Sequence, residues 1–297
     1  MELVKKILQC PECHNNSLQF KEEKIICNEC NLNFPIENGT PLFSIEDILK
    51  KGTSTTKEKM ILKKIKNKLP FIPTLINLIQ PPIFYLSKIA RGEDRLLYHL
   101  KKIQYKPKAI ILDIGAGHKN WENVIPLDIY YYPGVEICAK ADKLPFSDNS
   151  VDMIVSQSAI EHIVNGVKAL KEMERILKPD GIIFIEAPFI YPYHPEPYDL
   201  RRWSTNGLDD AFENCTCIES GSVNGPFSTL FVILTSFFSW LLSFRNYSLY
   251  LMFNLLFQWI FLPLMIIDFI RGVYRKSSPL DSIVYYVGKK KLKKEKD

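Results

Sequence analysis

The stretch Ile111-Leu112-Asp113-Ile114-Gly115-Ala116-Gly117 decides the fold. An uninterrupted apolar run that ends in an acid and a glycine turn predicts a buried strand of a parallel sheet, with its carboxyl end open to a ligand. Outward from it, short apolar runs alternate with helical or loop segments, the pattern of a sheet flanked by helices. Residues 124–128 predict a second strand, again ending in an acid, residues 135–139 a third, 152–156 a fourth and 181–187 a fifth. Between the last two, Val167, Leu170, Met173, Ile176 and Leu177 predict one apolar helix face, stopped by Lys178-Pro179-Asp180-Gly181. Residues 215–222 and 282–289 read as strands six and seven. The fold class is α/β and doubly wound, with its ligand at the strand ends where the order reverses.

The glycine turn alone is a weak signal. The third glycine of a dinucleotide fingerprint is absent, and Asp128 follows Gly115 by thirteen residues rather than about twenty. Both features count against a pyrophosphate-binding dehydrogenase and predict that the first crossover helix is short or missing.

The chain has 297 residues, 46% of them hydrophobic and 24% charged. That composition excludes wholesale disorder, collagen-like repetition and a many-spanning membrane protein. The net charge of +5 is unevenly placed: residues 50–68 carry +7 and residues 289–297 carry +4, which leaves the remainder acidic. Such lysine runs suit an anionic membrane face or RNA, or simply keep a linker and a tail solvated. No cleavable signal sequence is expected, because the first residues lead into a cysteine cluster without an apolar stretch.

Four of seven cysteines form two pairs, Cys10/Cys13 and Cys27/Cys30, with thirteen residues between the pairs. Two thiolates on a tight knuckle can both face one tetrahedral cation, and two knuckles close the site against substrate and water. The spacing therefore predicts a structural zinc ion held by Cys10, Cys13, Cys27 and Cys30 in a reducing compartment, with a small hairpin over 18–26 carrying the second knuckle.

Leu8-Gln-Cys-Pro-Glu-Cys, Cys27-Asn-Glu-Cys and Phe34-Pro-Ile-Glu-Asn-Gly-Thr-Pro-Leu together resemble the small zinc-ribbon family that activates tRNA and translation-factor methyltransferases. The resemblance covers roughly residues 3–45 and implies a module that binds and stabilises a methyltransferase without chemistry of its own. Farther along, Ile111-Leu-Asp-Ile-Gly-Ala-Gly, Pro126-Leu-Asp-Ile, Ala141-Asp142-Lys-Leu-Pro-Phe146 and Ser158-Ala-Ile-Glu161-His162 resemble class I S-adenosylmethionine-dependent methyltransferases of the type-11 domain family. This implies a Rossmann-like seven-stranded sheet and S-adenosylmethionine as cofactor. By position, Asp113, Gly115 and Gly117 would surround the methionine part, Asp128 the ribose hydroxyls, and Asp142 with Leu144 the adenine. Lys119 stands where the family has a further glycine, so the lining of the methionine end departs from the pattern.

In-line displacement at a sulfonium methyl requires mainly that an acceptor be held, water excluded and a proton accepted. The proline- and aromatic-rich run from Pro188 to Trp203 follows strand five and resembles the loop that type-11 relatives place over the acceptor. His194 within it is the expected base or acceptor-orienting group. The alternative is an ordinary loop histidine, and His162 reads foremost as a structural feature of the resemblance.

Strands six and seven would need only a tight turn, yet about sixty residues separate them. Residues 227–244 and 247–270 are rich in Leu, Phe, Ile and Trp, and each as a helix could reach across about 30 Å of hydrocarbon. Because both strands join one sheet, the insertion must leave and return on the same side. Two spans, two helices lying in one leaflet, or a buried helical hairpin all satisfy that. The segment 69–85, broken by Pro81 and Pro82, reads as an interfacial or linker helix.

The expected organisation is a zinc ribbon (1–46), a basic linker with helices (47–107), a methyltransferase core (108–225), an apolar membrane-associated hairpin (226–275), and a last core strand with a basic tail (276–297). The expected function is methyl transfer at the cytoplasmic face of the cell membrane, with the bilayer and a lipid or lipid-linked glycan acceptor as partners. An rRNA or tRNA methyltransferase using the ribbon as a substrate module, and a non-catalytic S-adenosylmethionine-binding scaffold, are the alternatives.

Overall fold

A computed structural model describes residues 2–44, 92–104, 106, 108–119, 121–195, 198–271 and 279–292. The lysine run 50–68, the apolar segment 69–85, Arg275, Lys276 and the end of the tail lie outside the described residues.

The amino-terminal unit is a short helix, α1 (Glu2–Lys5), followed by four antiparallel strands: β1 (Leu18–Phe20), β2 (Lys24–Cys27), β3 (Asn33–Glu37) and β4 (Thr40–Pro41). The expected hairpin is the β1/β2 pair. After α2 (Gly92–Gln104) comes a seven-stranded sheet made of β5 (Ile111–Ile114), β6 (Ile125–Asp128), β7 (Ile137–Cys138), β8 (Val151–Gln157), β9 (Leu177–Pro188), β10 (Cys215–Ser222) and β11 (Ile283–Lys290). Its order is β10-β11-β9-β8-β5-β6-β7, with only β11 antiparallel to its neighbours.

Alternate residues along a strand face opposite sides of the sheet, and here both sides are covered. Leu112, Ile154, Ile183 and Ile185 face a core shared with α3 (Gly166–Ile176) and α4 (Thr205–Asp210). Ile111, Met153, Val155 and Phe184 face α2, which contributes Leu96, Leu100 and Ile103. This two-sided burial is why the strands read as continuous apolar runs. Among the described residues no helix connects β5 to β6, as the short spacing predicted. In α3 the buried stripe is Ala169, Leu170, Met173 and Ile176, whereas Val167 is 46% exposed. The helix also stops earlier than its turn residues suggest, because Leu177 is already in β9.

The ribbon docks on its own chain. Gln9 N donates to Pro145 O at 3.0 Å and Ser147 N to Ile7 O at 2.8 Å, on either side of a Leu8/Phe146 bridge. Leu42 bridges Cys138 of β7, and Phe43 N donates to Cys138 O at 2.8 Å. The four-stranded unit thus covers what would be an open sheet edge.

The insertion forms α5 (Pro226–Leu242) and α6 (Tyr247–Arg271), joined through Phe244 and Arg245 in left-handed backbone conformation. Phe238 packs on Phe257 and Phe261, with ring centroids 5.4 and 5.8 Å apart. At the sheet end, Asp268 accepts from Phe227 N at 3.2 Å and Ser228 N at 2.6 Å, so its carboxylate caps the start of α5.

Phe146 is fully buried where ribbon and sheet meet. Phe146→Ala should cost about 3–5 kcal/mol, read as a lower denaturation midpoint.

Candidate active site

The glycine turn after β5 forms one wall of a cleft at the carboxyl edge of the sheet. Gly115 has φ +79°, and a Cβ there would lie 2.3 Å from Ala159 Cβ, so only glycine lets the turn meet the loop after β8. Gly115 N and Ala116 N donate to Leu127 O at 2.9 and 3.1 Å, which ties the turn to β6. The carboxylate of Asp128, at the end of β6, accepts from Gly117 N at 2.9 Å and from Tyr130 N at 2.9 Å. Its orientation is thereby fixed, and each oxygen keeps a lone pair for a ligand hydroxyl.

The cleft has a volume of about 590 Å³ and is lined by Gly115, Gly117, Asp128, Asp142, Ser158 and His162 among others, a size suited to a nucleoside-bearing ligand. Asp142 stands at its far side and accepts from Asn165 Nδ2 at 2.9 Å. Two of the expected cofactor-binding residues do not line it. Leu144 is fully buried in the core, with its N–H donating to Glu172 Oε2 at 3.1 Å. Asp113 is 2% exposed beneath the turn, and burial, partly opposed by Lys119, pushes its carboxyl up to about 6. The motif spacing could place these side chains at the strand ends but could not tell wall from foundation.

At the ends of the next two strands, β8 leads into a short 3₁₀ turn (Ile160–His162), and β9 leads into the loop bearing His194. The two imidazoles lie 5.1 Å apart between centroids. The loop is held by Asp199, which pairs with Arg202 and accepts from His194 N at 2.8 Å. The Arg202 guanidinium also donates to Tyr191 O and Pro192 O, and holds the Asp199 carboxyl down at about 2. Glu161 is fully buried between the histidines. Its Oε1 is 3.5 Å from His194 Nε2, outside hydrogen-bond alignment but close enough to raise the His194 pKa. His194 itself does not line the cleft; its neighbours His162 and Tyr198 do.

In the ribbon, the thiols of Cys10, Cys13, Cys27 and Cys30 lie within 4.8 Å of one another, with Sγ–Sγ separations of 3.6 Å (Cys10/Cys30) and 3.5 Å (Cys13/Cys27). Thiolates at about 2.3 Å from a tetrahedral zinc would be about 3.8 Å apart, so the set fits a closed structural ion.

Comparison with known proteins identifies both units. Residues 112–185 match the methyltransferase-domain family and residues 3–39 the family of Trm112p-like proteins. The chain is 32% identical to an uncharacterized protein of Methanocaldococcus jannaschii over 34% of its own length and 52% of that protein's. It is 31% identical to the ubiquinone/menaquinone biosynthesis C-methyltransferase UbiE of Hahella chejuensis over 33% of this chain and 40% of that one. The chain thus spans about half, or less, of the length of these curated relatives. A solved chain from a complex of the Haloferax volcanii Trm112 methyltransferase activator aligns with TM-score 0.38 and 18% identity, covering 71% of this chain and 96% of that one. The central sheet is an S-adenosylmethionine-dependent methyltransferase domain. The unit ahead of it is a Trm112p-like zinc ribbon on the same chain.

Because burial raises the Asp113 pKa, the folded protein disfavours its ionised form. The ligand-free protein should therefore lose stability as pH rises from about 4 to 6 and recover it below that window. Asp113→Asn should remove this slope and raise stability at pH 7 by on the order of 3 kcal/mol, measured by urea denaturation across that range.

Proposed function

We propose that the chain transfers a methyl group from S-adenosylmethionine to a lipid or lipid-linked glycan acceptor at the cytoplasmic face of a membrane. The observation that carries this reading is topological. β10 runs parallel to β9, so the point where α5 leaves the sheet lies on the same edge as the carboxyl ends of β5, β8 and β9, where the cleft opens.

The apolar surface of the insertion supports the membrane half of the reading. Tyr247–Asp268 has mean hydropathy 1.9, and only 6% of its most apolar stretch is buried. Met252, Leu256, Trp259, Ile260 and Phe244 are all exposed. Nothing among the described residues covers this face, which is what a buried soluble hairpin would require. At 1.5 Å per residue α6 spans a hydrocarbon layer, whereas α5, with 17 residues, reaches about 25 Å, short of about 30 Å. That shortfall favours a hairpin tilted or lying within the cytoplasmic leaflet over two perpendicular spans. The quinone-biosynthesis name of the Hahella relative is in keeping with a membrane-resident acceptor.

When bound, S-adenosylmethionine supplies a methyl group already activated on a sulfonium. Gly115 and Gly117 with Asp113 beneath them would shape the methionine end, Asp128 would hold the ribose hydroxyls, and Asp142 the adenine side. Leu144 would act from the core behind it. His194 is assigned to the acceptor, which it orients or relieves of a proton, within a loop that Asp199 and Arg202 hold shut against water.

A second reading is favoured by the Trm112p-like match: the acceptor would be RNA or protein, with the ribbon as substrate module. Labelled S-adenosylmethionine incubated with protein and total membranes should place label in the lipid fraction; label in RNA or protein alone would overturn the first reading in favour of the second. Asp128→Ala should weaken S-adenosylmethionine binding at least tenfold by calorimetry. No binding by the unaltered chain would overturn both readings and leave a scaffold.

A further inference from the structure

We propose that Glu161, His162 and His194 form a second metal site, for a divalent transition cation, at the acceptor side of the cleft. The first observation is convergence. His162 Nε2 lies 3.6 Å and His194 Nε2 lies 3.5 Å from the same Glu161 Oε1, and one ligand atom from each of the three residues lies within 4.8 Å of the others. Two ligand atoms at about 2.05 Å from a tetrahedral cation stand about 3.3 Å apart. The observed gaps are thus too wide for good hydrogen bonds and near the span of two ligands across one ion.

The second observation is the direction of the protons. His162 Nδ1 is bonded to Tyr198 O, and His194 Nδ1 to Pro192 O at 3.0 Å. A carbonyl can only accept, so each Nδ1 is the donor. In a neutral imidazole that leaves a lone pair on Nε2, and in both rings Nε2 is the atom turned toward the carboxylate. Outward Nδ1–H to a carbonyl and inward Nε2 is the arrangement by which backbone groups orient metal-binding histidines.

The third observation is the carboxylate. Glu161 has no exposed surface, and neither of its oxygens takes a hydrogen bond. Leaving a carboxyl group so buried without a hydrogen bond is costly. The Arg202 guanidinium is engaged with Asp199 and with carbonyls of the loop. Three ligand atoms converging on a buried carboxyl without a hydrogen bond are what a cation resolves.

The donor set selects the ion. Two imidazole nitrogens and one carboxylate oxygen suit Zn²⁺, Fe²⁺ or Mn²⁺ and disfavour Ca²⁺ and Mg²⁺, and three protein ligands leave coordination open to an outside oxygen. The site joins the turn after β8 to the loop after β9, and His162 lines the cleft. A hydroxyl or carbonyl oxygen of an acceptor is the chemical class it would receive, and His194 would then orient that acceptor through the ion. The site rests on these three side chains and not on methyl transfer.

Metal analysis of purified full-length protein, saturated with Zn²⁺ and desalted, tests it. Two zinc ions per chain are expected, one in the ribbon and one here. His162→Ala and His194→Ala should each hold one, with affinity for the second equivalent lowered about 100-fold or more and the circular dichroism spectrum unchanged. A single zinc in the unaltered chain, or two in both variants, would overturn the proposal, and the first result would leave a protonated histidine–carboxylate cluster. Should the variants misfold, Co²⁺ replacing the second equivalent in the unaltered protein decides. Its absorption should lack the thiolate charge-transfer band that the ribbon gives, and a thiolate band would rule the site out.

Discussion

The pairing of β11 between β9 and β10 is the constraint on which the rest of the architecture turns. Tyr285, Tyr286 and Val287 are buried in that strand, and its ladder runs from Ile283 to Lys289 against β9 and from Val284 to Lys290 against β10. A strand inserted antiparallel between two parallel ones must begin at the edge where they end. Whatever lies between β10 and β11 must therefore leave and return at the carboxyl edge of the sheet. The hairpin stands beside the cleft because the sheet allows it no other place. Asp268 and the α5 start reinforce this, since a buried carboxylate at the N-terminus of α5 locks both helices at their sheet end.

The same edge gathers several buried carboxyl groups. Asp113, Asp128 and Glu161 all lie at or just beyond strand ends and are nearly inaccessible, but their surroundings differ. Backbone donors from Gly117 and Tyr130 meet Asp128 and hold it rigid. Asp113 has mainly burial, and its pKa rises accordingly. Glu161 faces the Nε2 atoms of two histidines without a hydrogen bond. Three carboxylates within one edge thus answer to three environments, one fixed by hydrogen bonds, one by burial and one by what else enters the site.

Much of this was legible in the residues. Each of the seven expected strands has its counterpart in the sheet; the inner ones read as apolar runs because two-sided burial leaves continuous runs in the sequence, whereas β10 at the edge alternates. The missing first helix followed from counting residues between Gly115 and Asp128. The four cysteines carried their own geometry, since a CxxC knuckle admits few arrangements. What the sequence could not show was which way individual side chains turn. Val167 fits the apolar period of α3 but lies at the margin of its stripe, and Leu144 follows a cleft residue by two positions yet points into the core. The Glu161–His162–His194 cluster was equally hidden, because thirty-one residues of chain separate its two histidines and only the adjacency of β8 and β9 brings them together. His194 drew attention for its loop composition, while its relation to Glu161 depends on sheet order.

The position of the ribbon follows from the opposite edge. β7 has only two residues, Ile137 and Cys138, and would otherwise expose unpaired backbone groups at the end of the sheet. Leu42 and Phe43 pair with it, and Thr40 Oγ1 donates to Val135 O at 3.1 Å. Six strand spacings of about 4.8 Å separate β7 from β10, so the ribbon sits roughly 29 Å from the strand that leads into the hairpin. Its zinc site is closed by four sulfurs and offers no open coordination position. An ion held there would be structural, stiffening the unit that pairs with the two-residue edge strand. The ribbon thereby meets the sheet at the edge beside β6, the strand that ends in Asp128.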